Sequence, residues 1–228
     1  MKKILLLSVS LFLLIVSGCS SNKSTPVEED VVEENNAVEE IANQEITEEV
    51  KYEKGLVENG VYTNSSLNIK FTPTENMVVS TEEEMLAQYE NGAELIKNGN
   101  ESFKNIDFSS FDIIYELIAT DVTTGSNIQI MAEKVALSNI TPNQYIKAIA
   151  SQLGQVDGFE VTNQSEIEDY DIGGVNYSKC TIYINYSGVD LSETYLCSKV
   201  GDRTISIIVT CMQESDLDTF LGCFSSLK

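Results

Sequence analysis

Chemistry in this chain must come from cysteines, carboxylates, tyrosines, serines and thirteen lysines, because its 228 residues include no histidine, no tryptophan and a single arginine, Arg203. Without imidazole there is no Ser-His-Asp or Cys-His nucleophile pair, no HExxH zinc site and no histidine general base. One arginine restricts bidentate clamping of phosphate or carboxylate to one position. Paired carboxylates or Ser-Lys arrangements remain as catalytic options, with Glu166, Glu168 and Asp169 as the carboxylate candidates, but an enzyme is not expected. Glu168, Asp169 and Asp171 precede Gly173-Gly174 and approach a calcium loop. Their spacing departs from the EF-hand pattern, and a solvated hairpin end is the favoured account.

Four of the five cysteines, Cys180, Cys197, Cys211 and Cys223, fall in the C-terminal part of the chain. If the turn over residues 187–190 sets Tyr186 opposite Leu191, Cys180 and Cys197 face each other on one side of a hairpin. They form the candidate disulfide, weighed against buried free thiols; a Cys211 to Cys223 bridge has less support. No Cys-x-x-Cys spacing occurs, so no metal ligands are assigned and no cofactor is expected. Tyr115, Tyr177, Tyr183, Tyr186 and Tyr195 fall on expected strands. Amphipathic rings suit a binding face, although packing at the core edge is the commoner use.

These residues need a scaffold, and the hydrophobic pattern supplies one. Val61-Tyr62-Thr63 and residues 67–71 read as two short strands, and Pro73 ends the second. Ser80 with Glu83 has capping-box spacing and opens a helix that runs to Gly99, with Glu82-Glu83-Glu84 favoured in its first turn by the helix dipole. Residues 112–119 and 127–135 form a hairpin about Thr123-Thr124-Gly125, with Ile113, Tyr115, Leu117 and Ala119 on one parity. Thr141-Pro142-Asn143-Gln144 caps a second helix that stops at Gly154. Strands over 159–170, 176–186, 191–200 and 204–211 follow, and a last helix from about Glu214 carries Leu217, Phe220, Leu221, Phe224 and Leu227 as one stripe. Strands joined by short turns are antiparallel, and three amphipathic helices need a sheet to cover. The expected fold is α+β: an antiparallel sheet of about six to eight strands with about three helices on its faces.

The N-terminus carries a different kind of information. Lys2 and Lys3 precede an apolar run from Ile4 to Val16 and the small pair Ser17-Gly18, the layout of an export signal. Such a run reaches roughly 20 Å as a helix, short of a hydrocarbon core of about 30 Å. Val16-Ser17-Gly18-Cys19 resembles the lipobox of bacterial lipoproteins. That resemblance implies a diacylglyceryl group on the Cys19 thiol, cleavage before Cys19, and anchoring at the extracytoplasmic face of the cell membrane. Residues 20–58 hold twelve acidic and three basic residues, too charged and too poor in apolar groups to offset their ordering entropy. The chain is therefore expected to divide into a signal peptide (1–18), a lipid-anchored acidic disordered tether (19–56) and a folded domain (57–228).

Tyr62-Thr63-Asn64, the strand ending in Phe71-Thr72-Pro73, the acidic helix, the hairpin, Ile172-Gly173-Gly174-Val175-Asn176-Tyr177, the meander and the terminal helix together resemble the PsbP/Mog1-like fold. Members of that family serve mainly as accessory or binding modules without shared catalytic residues, so the resemblance carries over no active-site residue. A net charge of −22 repels nucleic acid and anionic headgroups. The expected function is a non-catalytic binding or accessory module of the cell envelope. Its partners are the membrane, through the lipid, and an unknown protein or small molecule. A carboxylate hydrolase and a structural envelope spacer are the alternatives.

Overall fold

Short turns make the central layer, as the sequence expects. The computed structural model describes residues 51–135 and 139–228. In chain order these form β1 (Leu56–Glu58), β2 (Val61–Asn64), β3 (Ile69–Phe71), β4 (Met77–Val79), α1 (Glu82–Gly99), β5 (Ile113–Asp121), β6 (Asn127–Glu133), α2 (Pro142–Leu153), β7 (Phe159–Gln164), β8 (Glu168–Ile172), β9 (Val175–Tyr186), β10 (Val189–Val200), β11 (Arg203–Cys211), α3 (Ser215–Leu221) and β12 (Phe224–Ser226). The expected signal peptide, the lipobox-like residues 16–19 with Cys19, and the expected tether as far as residue 50 lie outside the described residues.

Eight strands form one antiparallel sheet in the order β4-β5-β6-β11-β10-β9-β7, with β8 also paired to β9. The fold is α+β. Ile96 of α1 and Ile146, Ile149 and Leu153 of α2 bury one face with Ile182, Ile184 and Tyr195. The other face meets a second, four-stranded sheet, β1-β2-β3-β12, and α3. There Tyr62, Leu67, Ile69 and Phe71 close over Ile130, Leu196 and Ile207, all at most 1% exposed. Each such side chain contributes roughly 1.5 to 3 kcal/mol through burial.

A bulge in β5 sets which layer each of its residues enters. Tyr115 pairs with Met131 and Leu117 with Ile130, so Glu116 is one residue too many. Ile113 and Tyr115 consequently pack on the helical side, whereas Leu117 and Ala119 pack under the small sheet. The single parity expected for these four is thereby corrected, since an extra residue turns a strand over.

Local chemistry fixes the helix starts. Thr141 Oγ1 accepts from Gln144 N (3.3 Å) and the Gln144 carboxamide accepts from Thr141 N (2.9 Å), with Pro142 in the first turn. Thr141→Ala should lower stability by about 1 kcal/mol in denaturant titration; no change would show that the cap is redundant. At α1 the capping residue is Thr81, with Glu84 reaching back (2.8 Å), one position later than Ser80 with Glu83. Ser80 N is already committed to Ile118 O (2.9 Å), extending the β4–β5 ladder, so Thr81 is the first residue free to cap.

Three further expectations change. The last helix is short: α3 stops at Leu221, and β12 pairs antiparallel with β3, where the Phe224 and Phe71 rings meet edge to face at 5.1 Å. Apolar spacing alone cannot separate a helical stripe from an apolar turn followed by a strand, and the otherwise unpaired edge of β3 settles it. The folded part also begins before residue 57, because Tyr52 is 5% exposed and Gly55 lies against Tyr62, where a Cβ would fall 2.4 Å from its Cε2. Finally, the β9–β10 turn has two residues, Ser187 and Gly188, both with positive φ, the geometry of a tight hairpin turn. Tyr186 thus faces Val189, Cys180 faces Tyr195 and Cys197 faces Ser178, so Cys180 and Cys197 are not opposed. Both are free, as are Cys211 and Cys223.

Candidate functional site

The bulge that turns β5 over builds two places at once. On one side Tyr115 enters a groove of about 470 Å³ between α1 and the segment before β5. Asp107 shapes that segment by accepting from Ser109 N (3.0 Å) and Ser109 Oγ (2.6 Å), which opens a 3₁₀ turn at Phe108–Ser110. These bonds hold the Asp107 carboxyl below its usual range. Tyr89 OH donates to Phe108 O (2.6 Å) and ties α1 to the turn. Four rings line the groove: Tyr89 lies 4.9 Å from Tyr115, and Phe108 lies 6.1 Å from Phe111, near perpendicular. Lys97 Nζ stands 5.1 Å from the Phe108 centroid, a cation over a ring face. Leu86, 51% exposed, also lines the groove. Three of the rings, Tyr89, Phe111 and Tyr115, are partly exposed and Phe108 is buried behind them; aromatic rings in a concave site bind flat or apolar groups, and the carboxylates of Glu90, Glu94 and Asp107 also line it.

On the other side Glu116, 2% exposed, accepts from Tyr52 OH (2.8 Å), Gly55 N (2.7 Å) and Tyr62 OH (3.1 Å). Burial beside this carboxylate raises both phenols, so they stay protonated donors. Its role is to pin residues 52–55 to the domain.

Two more buried carboxylates lie beneath the helices. Glu133 accepts from Tyr145 OH (2.7 Å), and Glu193 accepts a short hydrogen bond from Tyr195 OH. Burial pushes each carboxyl up to about 7, against the lowering effect of its tyrosine donor. Nothing in the sequence marks them; each reads as an ordinary acid in a strand.

The residues singled out in the sequence come together less. Glu166, Glu168 and Asp169 are exposed and form no cleft: Glu168 pairs with Lys179 (3.0 Å), and Asp169 accepts from Asn176 (3.3 Å). Asp171 accepts from Gly174 N (3.2 Å) and serves the turn. Burial pushes the Cys197 and Cys211 thiols up to about 12, so they are protonated and unreactive at neutral pH. Tyr177 and Tyr195 are core residues, whereas Tyr115 lines the aromatic groove. Among the described residues no group of three or more Cys, Asp or Glu side chains is arranged to hold a metal ion.

The cyanobacterial PsbP (CyanoP) of Synechocystis sp. PCC 6803 is similar to this chain at a TM-score of 0.43 and 9% identity, over 73% of this chain and 91% of its own. LpqN, involved in cell envelope biogenesis of Mycobacterium tuberculosis, gives a TM-score of 0.37 at 7% identity, over 69% of this chain and 82% of its own. No protein-family model matches the sequence, and no curated protein matches it. Neither structural likeness bears on what this chain binds.

Proposed function

We propose that the protein is an extracytoplasmic lipoprotein, held at the membrane by a diacylglyceryl group on Cys19, and that its domain is a non-catalytic binding module of the cell envelope. The groove of four aromatic rings beside α1 is the observation that carries the binding reading. Anchoring rests on Val16-Ser17-Gly18-Cys19 and the apolar run before it. Two acyl chains hold a protein at a bilayer where one is marginal. The strongly acidic chain leaves nucleic acid aside as a partner and points to an envelope protein or small molecule.

Two experiments read the two halves. Cells expressing Cys19→Ser should lose incorporation of labelled fatty acid and release the protein or retain its uncleaved precursor; label persisting in that variant refutes the anchor. Envelope components retained by the wild-type protein should be lost on Phe111→Ala, which opens the groove without emptying the core. Identical retention by the two proteins refutes the groove.

A further inference from the structure

The four-stranded sheet is too small to cover the face it packs on. Past its reach, over the C-terminal half of β9 and the start of β10, lies a second groove, of about 400 Å³. It is distinct from the one beside α1 and shares no lining residue with it. Tyr183 and Met212 give it an aromatic and aliphatic lining, with Met212 36% exposed. Thr162, the residue skipped by the pairing of β7 with β9 between Val161 and Asn163, lines one wall. Bulges re-aim side chains in this way beside functional sites.

The charge of the groove has one sign. Asp190 and Glu214 line it, and no lysine or arginine does. Asp190 Oδ1 accepts from Asn185 Nδ2 (2.7 Å), and its other oxygen takes no hydrogen bond among the described residues. Glu214 occupies the N-cap position of α3 in a helical conformation and makes no capping hydrogen bond, so its carboxylate is uncommitted. Asp190 and Glu214 are exposed, so each attracts a cation modestly, and the face of a tyrosine ring adds to that attraction. The −22 charge of the whole chain raises the local concentration of cations around it.

We infer that this groove binds an aliphatic amine, its ammonium held by Asp190 and Glu214 and its methylenes laid on Tyr183 and Met212. Charge complementarity selects this occupant. An anion would meet two carboxylates with no counter-charge, and a neutral chain would leave the negative potential of the groove unmatched.

Calorimetric titration of the full chain in a non-ionic detergent tests this with three six-carbon probes of matched length: hexamethylenediamine, hexanediol and adipate. The diamine should bind at least about tenfold more tightly than the diol, with adipate weakest. The double variant Asp190→Asn with Glu214→Gln should remove about tenfold of the diamine affinity, and Tyr183→Leu, which keeps apolar area but loses the ring, should remove part of it. Glu94→Gln, in the other groove, should leave diamine binding unchanged. Asp190 and Glu214 are exposed, so the urea midpoint of the double variant should match the wild type and show that lost binding is not lost folding. Equal binding of diol and diamine overturns the inference. So does diamine affinity that survives the double variant, because attraction to the acidic chain as a whole would then explain it. Loss of binding in Phe111→Ala bears on the first groove alone, so the two readings fail separately.

Discussion

Glu116→Ala should lower the unfolding free energy by about 3 to 5 kcal/mol, the cost of leaving two phenolic protons and one amide proton without an acceptor inside the protein. The donors are Tyr52 OH, Tyr62 OH and Gly55 N, and Tyr52 and Tyr62 are at most 5% exposed. In a domain of this size the loss corresponds to a fall in melting temperature of about 10 °C. Residues 51–55 should become sensitive to protease before the rest of the domain, because Glu116 joins them to β5. An exposed acid treated in the same way, Glu58→Ala, should change stability by no more than about 0.5 kcal/mol. A loss below about 1 kcal/mol for Glu116→Ala would show that water reaches the three donors and that the carboxylate does not hold the segment.

Stability should fall as the pH rises from about 4.5 to 7, and Glu193→Gln should remove part of that fall. The Glu133 and Glu193 carboxyls are pushed up to about 7 by burial, whereas in the unfolded chain each titrates near 4.3. Between those values the folded state binds more protons than the unfolded state, so the unfolding free energy declines with rising pH. The contribution is fully present below the unfolded pKa, is lost as the pH climbs through the folded one, and amounts to roughly 3 kcal/mol per group by pH 8. Among the described residues Glu193 Oε1 has no hydrogen-bond partner, and neither does Oγ1 of Thr210, the residue paired with Glu193 across the β10–β11 ladder. A carboxamide keeps an oxygen for Tyr195 OH, places a donor toward Thr210 and carries no charge. Glu193→Gln should therefore be more stable than wild type by about 2 kcal/mol at pH 8 and equal to it near pH 4.5. The difference between the two titration curves is the measurement, since charge repulsion across the rest of the chain cancels in it. A constant offset at every pH would mean that Glu193 carries no ionisation penalty.

Both sites show where local reading stops. Glu116 sits in Tyr115-Glu116-Leu117, which alternates like any half-exposed strand, so the acid reads as solvent-facing. Only pairing with β6 reveals the extra residue, and only residues 54 to 64 positions earlier supply its donors. Glu193 resembles any other strand acid until β11 and the helices cover it. The cysteine pairing failed for a narrower reason: a two-residue turn and a four-residue turn share the Ser187-Gly188 sequence but differ by two in register, which moves Cys197 from Cys180 to Ser178. The aromatic groove was half legible, since Tyr115 stood out, but Tyr89 and Phe111 join it only when α1 lies beside the segment before β5.

By itself, the sequence determined the antiparallel order, the two capped helices and the α+β class, because turns, caps and periodicity act between residues a few positions apart. It also carries Val16-Ser17-Gly18-Cys19, which resembles a lipobox. Tertiary structure alone decided the second sheet, whose β12 pairs with β3 across about 150 residues, the turning of β5, and which carboxylates became buried. Those outcomes depend on which distant surfaces close over a strand, and burial is a property of the closed layers, not of the strand.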